Sequence, residues 1–260
     1  MEKTAEQIEL ERLRARLTRK FHQACADYGL LADGDKVLIG LSGGKDSLAL
    51  VELLGRRAKI YKPRFEVVAL HVRVKERDYR TDLSYLETFC REAGVELVVR
   101  DTEIGVQNTD RFTDRVHTDL RKESNPCFLC SWYRRKALFN VAQELGCNKI
   151  AFGHHRDDVI ETLLMNMIYQ GAFATMPPML QMDKMPLQII RPLCLIDEAD
   201  LVRYAAMRGY TQQEKLCPFE HVSARDSVKG LLAQIKALNP EAPDNIYAAM
   251  TNIKAQYLPR

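Results

Sequence analysis

The segment Lys36-Val37-Leu38-Ile39-Gly40-Leu41-Ser42-Gly43-Gly44-Lys45-Asp46-Ser47 decides how the chain is read. Its first half, Lys36 to Leu41, is a short apolar run with no polar alternate positions, as in a strand covered on both faces. Ser42-Gly43-Gly44 punctuates it, and from Asp46 to Leu54 the apolar residues take helical spacing. Glycines at a strand-to-helix turn let the backbone approach an anion, and the helix N-terminus adds unpaired N–H groups and a positive dipole end. Ser42 and Ser47 supply further hydrogen bonds, and Lys45 a compact charge for a phosphate. Asp46 would repel phosphate and suits Mg²⁺ or water beside it. The Walker A pattern does not fit, because it needs Gly at 39 and Ser or Thr after the lysine, where this chain has Ile39 and Asp46. The plain alternative is a glycine-rich turn with a fortuitous lysine.

Outward from this segment the alternation continues. Strands are expected at Phe65–Val72, Val95–Arg100, Lys149–Phe152 and Leu187–Ile190. Helices are expected at Ile8–Tyr28, Tyr79–Ala93, Cys127–Leu145 and Val159–Gln170, the last closed by Gly171. Such βαβ succession predicts an α/β fold, a doubly wound and mostly parallel sheet with helices on both faces. Thr102–Asn125 and Ala172–Met185 fit neither period and read as long functional loops. Beyond Arg191 the chain reads as helical, at Glu198–Met207, Asp226–Ala237 and Asn245–Tyr257. The expected division is an N-terminal helical segment (1–34), a nucleotide-binding domain (35–193) and a mainly helical C-terminal region (194–260).

The chain has 260 residues, enough for one large domain with a modest appendage. Lys+Arg 38 against Asp+Glu 35 leaves +3, too small a surplus to imply nucleic-acid binding by itself. Mean hydropathy is −0.28. No uninterrupted apolar run approaches the length that crosses a bilayer as a helix. Met1–Lys20 lacks the apolar centre of a signal peptide, and seven cysteines are an odd number for a secreted disulfide framework. A cytoplasmic protein is expected, in which closely spaced cysteines hold metal or do redox chemistry.

Asn125-Pro126-Cys127-Phe128-Leu129-Cys130 is the second informative stretch. Asn125 suits an N-cap and Pro126 the first helical position, which puts Cys127 and Cys130 on one face of the first turns. There the dipole favours thiolate. Of the other cysteines, Cys25, Cys90, Cys147 and Cys194 read as core, and Cys217, in an irregular segment before Pro218, is the best third ligand. Three thiolates with an open fourth position suit an Fe–S cluster that leaves one iron free, whereas zinc would need closure by a residue such as His221. Redox or inert thiols are the remaining reading. Arg134, four residues after Cys130, shares the cysteine face. From Arg111 to Lys136 there are seven Lys/Arg against three Asp/Glu, with Trp132 and Tyr133 among them, a mixture suited to a phosphate backbone and an exposed base.

Gly153-His154-His155-Arg156-Asp157-Asp158 follows the expected strand at 149–152 and opens a helix on the same sheet edge as the phosphate loop. Asp157 or Asp158 can hold Mg²⁺ or orient a reacting group, and Arg156 can neutralise phosphate. Acids at a helix start are also simple dipole partners. That reading stays open beside the chemical one for Asp158 and Glu161, whereas Asp157 at the turn favours chemistry.

These motifs occur in one order with Met176-Pro177-Pro178, Arg191-Pro192-Leu193 and Cys217. The phosphate loop resembles the PP-loop of the N-type ATP pyrophosphatases, and the whole set resembles the TtcA family, tRNA-cytidine 2-sulfurtransferases. The resemblance implies a [4Fe–4S] cluster on Cys127, Cys130 and Cys217, and ATP with Mg²⁺ at Ser42, Gly43, Gly44, Lys45, Asp46 and Ser47, with Gly153 and His154 as further nucleotide contacts. Its implied catalytic groups are Lys45, Arg134, where related thiouridine synthetases carry a lysine, and Asp157. It implies tRNA as partner, a sulfur donor (a cysteine desulfurase or free sulfide), and no membrane, and leaves a homodimer open. One departure stands out. A second Cys-x-x-Cys near the C-terminus is typical of the family, but this chain has Cys217-Pro218-Phe219-Glu220, which leaves another tRNA base or a small molecule open as substrate.

The implied chemistry adenylates the C2 oxygen of an anticodon-loop cytidine and replaces it with sulfur. A different PP-loop enzyme would leave the cysteines idle. A cluster-free sulfurtransferase would use them as persulfide carriers, and a zinc-bearing RNA-binding module would not turn over ATP.

Overall fold

The computed structural model describes residues 3–75, 81–103, 126–183, 185–211 and 224–258, excluding the side chains of 126–130. The apolar run becomes β1 (Lys36–Gly40), buried in its middle three residues. It pairs in parallel with β2 (Glu66–Val74) on one side and β4 (Lys149–Ala151) on the other. β3 (Glu96–Thr102) lies outside β2. β6 (Gln188–Ile190) follows β4 in parallel, and β5 (Met179–Gln181) closes the edge antiparallel to β6. The order is β3-β2-β1-β4-β6-β5. From β1 the chain winds outward through β2 and β3, then returns to β4 on the other side of β1. In open α/β sheets ligands bind outside the carboxyl ends of strands at such a reversal.

Helices cover both faces. α1 (Ala5–Asp27), α2 (Lys45–Ala58), α3 (Leu83–Ala93) and α6 (Glu198–Met207) bury Leu13, Leu17, Phe21, Leu50, Leu86 and Tyr204 in one core with Val37 and Ile39. α4 (Pro126–Glu144) packs Leu138 and Val141 against Leu38, Leu70 and Ile150 on the other face. α5 (Arg156–Gln170) follows β4, while α7 (Ala224–Leu238) and α8 (Ala242–Ala249) pack against α5. The expected segments 1–34 and 194–260 therefore share a core with the sheet: Leu13 and Leu17 of α1 join Leu201 and Tyr204 of α6. Two helices touch without side chains where a Cβ on Gly55 would lie 2.5 Å from the Ala93 carbonyl.

Three expected elements differ. The loop at 172–185 contains β5, whose three exposed residues carry no burial signal and gain their partners only from β6. The helix expected at Asn245–Tyr257 is α8 plus a separate 3₁₀ turn at Ala255–Tyr257, with Pro243 in the first turn of α8. α3 starts at Leu83 rather than Tyr79 because Asp82 accepts the Tyr85 N–H at 3.0 Å and caps it. Asn125 and most of Thr102–Asn125 lie outside the described residues. Among the described residues no helix is long and apolar enough to cross a membrane.

Candidate active site

The loop after β1 needs one glycine for conformation. Gly43 takes a positive φ in the left-handed region, which a side chain would strain. Gly44 caps α2 without a side chain, leaving the first-turn amides for an anion. The serines brace the turn: the Ser42 and Ser47 hydroxyls lie 3.1 Å apart, Ser47 Oγ donates to the Gly44 carbonyl at 2.9 Å, and the Gly44 N–H donates to Ser42 Oγ at 3.3 Å. Lys45 Nζ rests between Asp46 at 3.1 Å and Glu198 at 3.3 Å. Asp46 Oδ1 is buried with no hydrogen-bond partner among the described residues, an acceptor suited to a cation or its water.

The loop after β4 meets this turn backbone to backbone. A Cβ on Gly153 would lie 3.0 Å from the Asp46 carbonyl carbon and 3.1 Å from the Ser47 nitrogen. His155 caps α5: its Nδ1 accepts the Asp158 N–H at 3.3 Å, and Asp158 Oδ2 accepts the His155 N–H at 2.9 Å. His154 is neutral, since burial pushes its pKa down to about 4 against the pull of Asp158, and its buried Nδ1 has no partner among the described residues.

Both loops line one cavity of about 350 Å³, walled by Leu70, Val72, Leu138 and Phe152 and reached by Ser42, Asp46, Ser47, Gly153, His154, Asp158, His71 and Arg134. The expected groups Ser42, Asp46, Ser47, Gly153, His154 and Arg134 thus converge. Gly43, Gly44, Lys45 and Asp157 do not line it. Asp157 is 1% exposed, accepts the Glu198 N–H at 2.8 Å and pairs with Lys236 of α7. Burial pushes its pKa up, but the Lys236 bond and the Glu198 N–H outweigh that and hold it below the usual carboxylate range. Asp158, for which the sequence left chemistry and a dipole role both open, lines the cavity together with Asp46.

Arg134 carries the cysteine helix to the same place. α4 begins at Pro126, so Cys130 lies about one helical turn before Arg134 along its axis, and Cys127 about two turns before it. The sulfur atoms of Cys127 and Cys130, and all of Cys217, lie outside the described residues; among those described, no three His, Cys, Asp or Glu form a metal-binding group. Cys90 and Cys194 are buried and Cys25 half-buried, and burial pushes the pKa values of Cys25, Cys90 and Cys194 up to about 12, 11 and 11.

Sequence reasoning missed an ionic seam. Arg225 of α7 binds Asp158 at 2.7 Å and Glu161 at 3.1 Å, and Lys229 binds Glu198 at 2.8 Å. Glu198 thereby bridges the phosphate-loop lysine and α7. Arg191 is buried and donates to the Pro177 carbonyl at 2.5 Å, which joins the Arg-Pro-Leu and Met-Pro-Pro motifs. The signal for the seam was present as Arg225, Lys229 and Lys236 in one helical segment, but its acids come from α5 and α6.

The family model of the PP-loop domain matches residues 13–215. A tRNA-cytidine(32) 2-sulfurtransferase of Janthinobacterium is 34% identical over 251 residues, 96% of this chain and 76% of that protein. The protein of that name from Vibrio cholerae is 35% identical over 257 residues, 98% of this chain and 79% of its own. Among solved structures, the U34-tRNA thiolase NcsA from Methanococcus maripaludis with its [4Fe-4S] cluster superposes with a TM-score of 0.71 at 27% identity, over 96% of this chain and 81% of that one.

Proposed function

Because the chain belongs to the PP-loop family and, within it, to the tRNA-cytidine 2-sulfurtransferases, we propose that it uses ATP to thiolate a cytidine of tRNA at C2. The observation that carries this reading is the shared cavity, where Ser42, Asp46 and Ser47 of the phosphate loop meet Arg134 of the cysteine helix. The amides of the first turn of α2 hold the phosphates. Lys45 leaves Glu198 to neutralise the departing pyrophosphate. The C2 oxygen attacks the α-phosphate; the bond to pyrophosphate breaks, and AMP becomes its leaving group. Arg134 faces the charge that develops there, and Asp158 orients the reacting groups from the other wall. Hydrosulfide then adds at C2, the C–O bond breaks, AMP departs with the oxygen, and the sulfur proton passes to solvent. We treat Asp157 as a positioning group that holds the start of α6 rather than as a catalytic one.

Two groups would complete this site. Asp46, whose Oδ1 has no partner among the described residues, would hold Mg²⁺, which would supply charge neutralisation for the polyphosphate. Cys127, Cys130 and Cys217 would hold a [4Fe–4S] cluster, which would supply an iron open to sulfur, and the N-terminal end of α4 favours the thiolates it needs. The proposal includes a cytoplasmic setting, with sulfur from a cysteine desulfurase or free sulfide. Light scattering decides between monomer and homodimer.

The test is anaerobic reaction of the purified protein with ATP, Mg²⁺, sulfide and tRNA lacking thiolated bases, read by mass spectrometry of the nucleosides. The expected product is 2-thiocytidine, with one AMP and one pyrophosphate per base. Another thiolated base would correct the substrate, and no thiolated base of any kind would reject the function.

A further inference from the structure

His71 is a polar side chain near the carboxyl end of the most buried part of β2, and neither the phosphate cradle nor the acidic loop uses it. The residue is 5% exposed, and its Nδ1 lies 2.9 Å from the Leu41 carbonyl, immediately before the cradle. A carbonyl oxygen only accepts, so Nδ1 carries the proton and donates. Burial pushes the ring pKa down; the Leu41 bond opposes this, while the charges of Arg134 and Arg73 add to it. In the neutral ring Nε2 is then an acceptor and nothing else. Among the described residues His71 makes no hydrogen bond besides the one to Leu41, and it lines the cavity that Leu70, Val72, Leu138 and Phe152 also line, an apolar setting that suits a flat base.

We infer that His71 Nε2 accepts a hydrogen bond from the exocyclic amino group of a nucleobase in this cavity, and so selects adenine or cytosine over its keto counterpart. This rests on the proposed function only in that a nucleotide enters the cavity. The physics is asymmetric. An amino group satisfies Nε2, whereas the carbonyl oxygen of hypoxanthine or uracil sets two acceptors face to face, both desolvated and unpaired. Fixing Nδ1 on Leu41 is what makes the selection possible, because a ring free to change tautomer would donate to the keto base.

Two arms separate the two sources, and both read binding, so a protein inactive in thiolation still decides the point. One compares ATP with ITP in the absence of tRNA, and the other compares anticodon stem-loops that differ only by cytosine or uracil at the target. The wild type is expected to prefer the amino base by about tenfold or more in one arm. His71→Asn retains an N–H for Leu41 but has nothing at the Nε2 position, and is expected to lose that preference; His71→Gln, with an acceptor further out, is expected to restore part of it. Loss in the ATP arm assigns the contact to adenine, and loss in the stem-loop arm assigns it to cytosine. No preference in the wild type in either arm overturns the inference, as does a preference left unchanged in folded His71→Asn. Should the variants not fold, the ¹⁵N resonance of His71 Nε2 in the wild type decides: it shifts on binding the amino base if the bond forms, and a resonance indifferent to both bases overturns the proposal.

Discussion

Replacing Gly153 by alanine tests whether the contact between the two cavity loops sets nucleotide binding. The added Cβ would lie 3.0 Å from the Asp46 carbonyl carbon, 3.1 Å from its oxygen and 3.1 Å from the Ser47 nitrogen. Ordinary van der Waals contacts start at 3.4 Å, so the backbones must separate by a few tenths of an ångström. The atoms met are backbone, part of the first turn of a helix whose residues 47–55 are all buried, so they cannot swing aside as a side chain tip would. Overpacking of this kind costs about 1–3 kcal/mol, which for a chain of this size lowers Tm by about 2–10 °C. The displaced groups are the amides that hold phosphate, so the Kd for ATP should rise about tenfold or more, the equivalent of one weakened charge-assisted hydrogen bond. Calorimetry gives both quantities. Gly230→Ala is the matched control, since no described atom lies within 4 Å of its Cβ and it sits inside α7. That variant should gain about 0.5–1 kcal/mol and leave ATP binding unchanged. Wild-type affinity and Tm in Gly153→Ala would refute the reasoning.

Asp158→Asn should lower AMP release with little loss of Tm, and Asp157→Asn should do the reverse. The Asp157 carboxyl is held low in the fold, so its contribution to stability is complete above an unfolded pKa of about 3.9 and lost as pH falls through its folded value. Unfolding of Asp157→Asn should therefore depend less steeply on acid below about pH 4 than that of the wild type. Glu52 is buried and accepts from Tyr204 at 2.8 Å and Tyr210 at 2.7 Å while it pairs with Arg56 and Arg208. Glu52→Ala should cost about 3–5 kcal/mol in urea unfolding, because it strands these partners, and a loss below about 1 kcal/mol would contradict that. Cys25, Cys90 and Cys194 should resist alkylation at about pH 8 in the folded protein, because burial holds their thiols at about 12, 11 and 11. Peptide mapping showing rapid labelling at any of the three would contradict their packing.

The centre of the fold could be read from sequence where local signals agreed. The run at 36–41 had an apolar strand, a glycine turn and a helical period in succession, and each became what its pattern required. Gly171 likewise closes α5 in the left-handed conformation. β5 was not legible, because Met179-Leu180-Gln181 is a strand only through its pairing with β6. The choice between Asp157 and Asp158 lay beyond periodicity as well. Neighbouring helical positions point in directions about 100° apart. The groups that claim Asp157, the Glu198 N–H and Lys236, follow it by 41 and 79 residues. His71 offered one faint signal, a lone imidazole in an apolar strand, whose meaning depends on the Leu41 carbonyl from the neighbouring strand's exit.

The partnership of the first helix with the last third of the chain also bears on how the protein is made. Lys20 of α1 meets Asp197 at 2.5 Å, 177 residues further on, and Leu13 and Leu17 share a core with Leu201 and Tyr204. On a ribosome adding roughly 5–20 residues per second, α1 emerges about 10–35 s before its partner exists. Its apolar stripe must spend that interval shielded by a chaperone or by provisional contacts, so slowed translation ahead of codon 197 would lengthen the period in which the nascent chain is open to aggregation.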